Sequence, residues 1–377
     1  MKKLCSLMLL CLFAPYLAFA NSDYNLRPGV TDISENVYQL HMTIFIICCV
    51  IGVIVFSIMF WALLRHRKSK GAQPASFHES TKVEILWTAI PFVILIAMAV
   101  PATKTLIAME DTSKADVTIK ITGSQWKWHY EYMGHDVGFY SLLSTPQEQI
   151  QNAQEKGENY LLEVDKPLVI PTDKKVRFLM TSDDVIHSWW VPDFAVKKDA
   201  NPGFINEAWT KVNEAGIYRG QCAELCGKDH GFMPVVVEAK SPEEFEAWLA
   251  DQKQAVQAQA QADAALLDQT LPLEELMATG EQIYMARCAA CHQPTGLGLA
   301  GVFPAIKDSP IAKGEIKDHI DIVVHGKPGT AMQAFVSQLT LKELAAVVTY
   351  QRNAFGNDTG DVVQPSAIQA YIDGEDK

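Results

Sequence analysis

Three apolar stretches shape the first third of the chain. Residues 1–20 open on Lys2 and Lys3, run apolar through 4–17 and end on Ala18, Phe19 and Ala20, the pattern of a signal peptide cut after Ala20. Pro15 and the short apolar body argue against an uncleaved anchor helix. Beyond a segment at 21–39, residues 40–64 carry no Asp, Glu, Lys or Arg, which predicts a helix able to cross a bilayer with some tilt. Residues 84–107 predict a second crossing around an uncharged centre at 85–103. Pro91 and Pro101 fall inside it, and membrane helices tolerate them where neighbours re-satisfy the freed backbone groups. The loop at 65–83 starts with Arg65, Arg67, Lys68 and Lys70, which places it on the cytoplasmic side. Two crossings return the chain to the periplasmic side, in agreement with the leader.

The next region, 116–240, changes period. Val117, Ile119 and Ile121 alternate with polar residues, as a half-buried strand does. Further strands are expected at 160–164, 168–170, 176–181, 216–218 and 235–238, separated by Gly, Pro and Asp turns, which suggests a sandwich or barrel. An aromatic run at 123–132 sets Trp126, Trp128, Tyr130 and Tyr132 at strand spacing, as if on one face. Residues 133–159 are polar and read as a loop insertion. Ser241 and Pro242 open a short helix to 249. An Ala/Gln-rich stretch at 251–267 then reads as a loose helix or tether, so 241–272 separates two modules. The last module, 273–356, ends in an amphipathic helix at 339–352 carrying Leu344, Val347, Val348 and Tyr350. Met277 and Met285 are expected in its core, and 357–377 reads as a polar tail.

Composition refines this picture in two places. The chain has 377 residues and a formal net charge of −12, which argues against a nucleic-acid partner and for steering of a basic protein partner. Its eight cysteines sort by region. Cys5 and Cys11 lie in the leader, and Cys48 and Cys49 in an apolar run. Cys222 and Cys226 share a short loop, and Cys288 and Cys291 precede His292, so no pair is left for a structural disulfide.

The loop at 221–233 gathers two thiols, an imidazole and a thioether in the pattern C-x-E-x-C-x-x-x-H-x-x-M, and a second imidazole stands at His187 before Ser188 and Trp189. Soft and borderline donors select copper or zinc over magnesium or calcium. Two Cys, two His and a Met exceed one tetrahedral zinc, although a zinc knot or a Cys222–Cys226 disulfide would use some of the same residues. In an exported chain, C-x-x-C-H at Cys288, Cys291 and His292 is the attachment signal of a c-type haem. A thioredoxin-like redox pair would lack its βαβ context and leave the histidine unexplained. Met332 is the candidate sixth ligand, since His/Met ligation raises a haem potential.

The copper pattern resembles the dinuclear copper centre (CuA) of subunit II of haem–copper cytochrome c oxidases, and the resemblance covers nearly the whole mature chain. It implies a multidomain fold: a two-helix transmembrane hairpin, an all-β cupredoxin Greek-key domain and an all-α class I cytochrome c domain. It implies that Cys222 and Cys226 bridge two copper ions. His187 and Met233 then complete one ion, and His230 and the carbonyl of Glu224 the other. The Glu224 carboxylate is expected to reach a magnesium ion at the boundary with subunit I, a hard cation that suits an oxygen donor. Trp126 is expected to be the aromatic through which electrons enter. Its segment resembles G-H-Q-W-Y-W-x-Y-E-Y, from which Ser124 and Lys127 depart, and a lysine at 127 would change which donor docks there. Glu84, in V-E-x-x-W-T, is expected to mark the entrance of a proton path into subunit I, where an interfacial anchor is the plainer role.

The partners so implied are oxidase subunits I and III and a c-type cytochrome or other periplasmic donor. The place implied is the bacterial inner membrane, with the large C-terminal part periplasmic. Two other classes use some of the same features. A free-standing membrane-anchored carrier would leave Glu84 and Glu224 without purpose. A nitrous oxide reductase would need repeats and a His-rich cluster, whereas the ten histidines here are scattered.

Overall fold

The computed structural model describes residues 25–73, 76 and 78–375, so the leader at 1–20 lies outside the described residues. Helix α1 (Asp32–Arg65) starts at a capping box, in which the Ser34 N–H donates to the Thr31 hydroxyl at 2.9 Å. Helix α2 (Thr81–Glu110) contains both prolines and continues unbroken past them. Phe92 is 62% and Leu95 is 69% exposed on α2, as Ile58 and Leu63 are on α1, an apolar surface that calls for lipid around it. Both helices are long and apolar enough to cross a membrane.

Ten strands follow. The first sheet has the order β3–β2–β1–β5–β8, built from β1 (Val117–Ser124), β2 (Lys127–Tyr132), β3 (Val137–Ser141), β5 (Val176–Ser182) and β8 (Asn206–Thr210). The second has the order β4–β10–β9–β6–β7, built from β4 (Leu168–Pro171), β6 (His187–Val191), β7 (Val196–Ala200), β9 (Gly216–Cys222) and β10 (Pro234–Lys240). Parallel pairs β1/β5 and β4/β10 sit among antiparallel ones. Alternate residues of both sheets meet in one core: Ile119, Ile121, Phe178 and Met180 from the first, and Trp189, Val235 and Val237 from the second. Trp128, Tyr130 and Tyr132 do share the buried face of β2, whereas Trp126 precedes that strand and is half-buried.

Several sequence expectations need correction. The 133–159 stretch is not one loop. It contributes edge strand β3 and a one-turn helix (Gln147–Ile150). Residues 160–164 form turns, with only Val164 bridging to Leu143, because Tyr160 and Leu161 have no strand beside them. Of the loose helix or tether expected at 251–267, the helix forms, as the continuation of helix α3 (Pro242–Leu266), capped by Ser241 and Glu244. Ala, Gln, Glu and Leu all propagate helix well. Phe245 and Leu249 anchor its start in the sandwich core, and Leu266 packs its end against the second core, making it a strut of about 38 Å.

The C-terminal module packs α4 (Leu273–Ile283), α5 (Ile316–Val324) and α6 (Leu341–Asn353) around Leu276, Tyr284, Leu344 and Val348. The 357–377 segment is not a plain tail. It includes α7 (Pro365–Glu375), whose Ile368 is fully buried against the same core. Met285 is 46% exposed and Met277 half-buried, so neither is a core residue.

Helices α4 and α6 cross at Gly280, where an added Cβ would lie 2.2 Å from the Ala346 carbonyl oxygen. That neighbour is helix backbone and has no room to yield. Gly280→Ala should therefore destabilise the C-terminal module by about 3 kcal/mol. Denaturant unfolding followed by Tyr and haem signals checks this, and an unchanged midpoint would contradict it.

Candidate metal and haem centres

His187 begins β6, Cys222 ends β9, and Met233 immediately precedes β10, so three strands of one sheet deliver three of the donors to one end of the sandwich. The pairing of Trp189 with Cys222 fixes how far β6 and β9 overlap. The remaining donors, Cys226 and His230, hang on the β9–β10 loop. The Cys222 and Cys226 sulfurs lie 3.8 Å apart. His187 Nδ1 is 4.0 Å from the Cys222 sulfur, and His230 Nδ1 is 3.4 Å from the Cys226 sulfur. Met233 Sδ is 3.5 Å from the Cys226 sulfur, and the Glu224 carbonyl oxygen is 3.3 Å from that of Cys222. All the residues that the sequence suggested for copper therefore meet at one place. His187, Cys222 and Cys226 are fully buried there.

Outer contacts aim these donors. His187 donates from Nε2 to the Asp184 carboxylate at 2.9 Å, which leaves Nδ1 to face the sulfurs. Burial opposes charge on the His187 ring, but Asp184 and the Cys222 sulfur outweigh it and raise its pKa. Burial likewise opposes charge on Asp184, yet bonds from His187 and from the Gln125 and Val185 amides hold its carboxyl below the usual range. The Cys226 carbonyl accepts from Gln125 Nε2 at 2.8 Å and from Trp126 Nε1 at 3.1 Å. Asp184 and Gln125 were missed by sequence reasoning. The only available signal was an acid three residues before His187.

The two thiols share one ionisation. A bond from the Cys226 thiol draws the Cys222 pKa far down, and the same bond drives that of Cys226 up. Adjacent thiolates repel, so cationic metal is what permits both to ionise. The donor set of two sulfurs, two imidazoles, a thioether and a carbonyl fits a soft metal pair.

The other cysteine pair behaves in the opposite way. Burial pushes the Cys288 thiol up to about 12 and raises that of Cys291 too. A thioredoxin-like reactive pair sits at a βαβ turn with a depressed pKa, whereas this pair lies among helices and burial raises both thiols. Cys288, Cys291, His292 and Met332 line one cavity of about 390 Å³. His292 Nδ1 lies 2.9 Å from the Pro304 carbonyl oxygen, which can only accept, so the ring N–H sits there and Nε2 keeps its lone pair. Gly326, at φ +70, lets the Met332 loop close. A Cβ at that position would lie 2.5 Å from the Met332 carbonyl oxygen. His319 also lines the cavity, and its buried Nδ1 has no hydrogen-bond partner among the described residues. Covalent anchors, a free imidazole lone pair, a thioether and an unsatisfied polar atom together fit a c-type haem.

Glu84 lies apart from both centres, whereas Glu224 and Lys127 stand beside them. Glu84 is exposed in the first turn of α2. The Glu224 side chain is exposed beside the copper loop, free to reach outward. Lys127 is not a donor-docking surface residue. It is 7% exposed, lies 5.3 Å from the Tyr140 ring centre and 5.4 Å from that of Phe335, and lines the haem cavity. Burial draws its ammonium down to about 8.

A membrane hairpin carrying a β-sandwich with soft-metal donors and a haem-type helical module defines a membrane-bound electron-transport protein. Residues 117–240 match the family model described as Cytochrome C oxidase subunit II, periplasmic domain, and residues 20–105 match Cytochrome C oxidase subunit II, transmembrane domain. Residues 275–350 match Cytochrome C oxidase, cbb3-type, subunit III. The chain is 38% identical over 255 residues to a probable cytochrome c oxidase subunit 2 of Rickettsia bellii (strain RML369-C), covering 66% of this chain and 93% of that protein. It is 34% identical over 236 residues to cytochrome c oxidase subunit 2 of Cereibacter sphaeroides, covering 59% of this chain and 78% of that one. The crystal structure of the periplasmic domain of subunit II of cytochrome oxidase (CoxB) of Bradyrhizobium japonicum is 41% identical, covers 38% of this chain and 98% of that chain, and has a TM-score of 0.35. The chain belongs to the cytochrome c oxidase subunit II family, in a form with a fused cytochrome c domain, and is thus part of a haem–copper terminal oxidase.

His319 supplies a pH test. Burial holds its pKa down at about 4, so the folded chain keeps it neutral. Between the ordinary histidine value of about 6.5 and this lowered value, the unfolded chain binds a proton that the folded chain does not. Its contribution to stability is complete above that window and is lost as pH falls through it. His319→Gln should flatten that part of the pH–stability curve, read from denaturant midpoints. An identical slope in both proteins would contradict the assignment.

Proposed function

We propose that this chain is the electron-entry subunit of a proton-pumping cytochrome c oxidase in a bacterial inner membrane. Electrons from a c-type cytochrome or other periplasmic donor would enter at the haem held by Cys288, Cys291, His292 and Met332. They would pass to a dinuclear copper centre held by Cys222, Cys226, His187, His230, Met233 and the Glu224 carbonyl. From there they would leave for the haem–copper centre of subunit I, where O2 is reduced to water. The observation that carries this reading is the meeting of three side-chain donors and a carbonyl around two cysteine sulfurs 3.8 Å apart.

When bound, such a copper pair supplies a single-electron store whose geometry scarcely changes with oxidation state. The protein's contribution is rigidity. His187 is locked by Asp184, the Cys226 carbonyl by Gln125 and Trp126, and Cys222 by its strand. Trp126 touches the backbone of a proposed ligand, which suits an electron-entry role. The Glu224 carboxylate is exposed, so it is available to a magnesium ion at a boundary with subunit I. Glu84 stands at the loop end of α2, at the membrane edge, where subunit I would meet it; subunit III would complete the core.

The test is a complex carrying Cys226→Ser, since a serine oxygen is a poor bridge for soft metal. Reduced c-type cytochrome should still reduce the haem of this chain, while O2 uptake falls to background. Uptake at the unaltered rate would contradict the proposed route.

A further inference from the structure

Two of the hydrogen bonds between the C-terminal module and the copper domain leave one side chain. Gln333 follows Met332 in the loop closed by the Lys327 N–H, which donates to the Met332 carbonyl at 2.8 Å. The Gln333 Nε2 group lies 3.2 Å from the Gln125 carbonyl oxygen and 3.4 Å from Asp184 Oδ2. Gln125 in turn bonds the Cys226 carbonyl, and Asp184 bonds the His187 ring. One carboxamide, adjacent to the proposed haem ligand, is therefore a single hydrogen bond away from residues that hold two proposed copper ligands.

We propose that Gln333 is a positioning residue that docks the haem domain in one pose over the copper ligands, so that electrons cross between the two centres within the chain. The crossing rests on the proposed function; the docking does not. Two further contacts flank the same seam. Lys228, in the copper loop, donates to the Ala290 carbonyl inside the C-x-x-C-H turn at 3.0 Å, and Lys127 lies against the Phe335 ring. Gln125 and Lys127, on either side of Trp126, both line the haem cavity. The docked haem domain thus takes the approach to Trp126, and an external donor must meet the haem domain instead.

Two substitutions separate this role from simple packing. Gln333→Ala removes the donor. Gln333→Glu keeps the size of the side chain but sets a second carboxylate against Asp184, which costs more than an empty site. The measurements use the full chain in its oxidase complex. Amide hydrogen exchange at 125–128 and 327–335 reads the opening of the seam. Flash-induced electron transfer from haem to copper reads its consequence.

Exchange should quicken by about tenfold in Gln333→Ala, and further in Gln333→Glu, since the lost bonds include one to a charged group. Electron transfer should slow in the same order, with the haem absorption and copper EPR spectra unchanged. Wild-type exchange in Gln333→Glu alongside faster exchange in Gln333→Ala would show that only volume matters and would overturn the proposal. Wild-type exchange in both variants would overturn it as well. Exchange reports docking whatever the route of electrons, so a failure of the relay leaves this test standing.

Discussion

Two cysteine sulfurs held 3.8 Å apart in a buried pocket impose the condition that the rest of the copper domain serves. Two thiolates at that separation repel, and burial removes the water that would screen them. One ionised and one neutral sulfur can share a bond, but both ionise only where cationic metal would offset the charge and the surrounding donors are already in place. The sheet meets that demand by covalent and ladder geometry. Cys222 closes β9, the paired strand β6 carries His187, and β10 begins beside Met233. The loop between the cysteines is then free to turn the Glu224 carbonyl inward and its carboxylate outward.

The second cysteine pair shows how environment decides the chemistry of the same residue. Cys288 and Cys291 line a cavity rather than facing each other across a metal-donor cluster. Burial there favours the neutral thiol. Neutral thiols suit covalent attachment to an organic cofactor, and the depressed Cys222 thiolate suits metal. The two cysteine pairs are thereby kept chemically distinct within one chain. Helix α3 spans them as a strut, and the seam at Gln333 draws their facing surfaces together.

The parts legible in the sequence were those whose signal is local. The membrane helices follow from uninterrupted apolar runs, and both candidate cofactor sites follow from donor types at fixed spacing. Strand β1 declares itself by alternation, and β4, β5, β9 and β10 by short segments set between Gly, Pro and Asp turns. Strands β3, β7 and β8 lie toward or at sheet edges and carry residues such as Lys197, Lys198 and Asn206, so their pattern is diluted. The start of β6 was visible as a ligand segment but not as a strand. The start of helix α3 was legible from Ser241 and Pro242, and its continuation only as a loose helix or tether, because low complexity blurs the pattern although Ala and Gln are sound helix formers. Helix α7 was read as a tail because its one fully buried anchor, Ile368, meets a partner far away in sequence. Asp184, Gln125 and Gln333 matter only through contacts across strands or domains, which no local window reveals.

The central claim is that the β9–β10 loop together with His187 of β6 binds a metal pair. Copper per chain, counted by elemental analysis on the purified oxidase together with EPR of the oxidised centre, tests it most directly. The account predicts two copper ions assigned to this subunit, with a hyperfine pattern from one unpaired electron spread equally over both nuclei. A single copper with hyperfine splitting from one nucleus, or a Cys222–Cys226 disulfide in the folded protein, would contradict it.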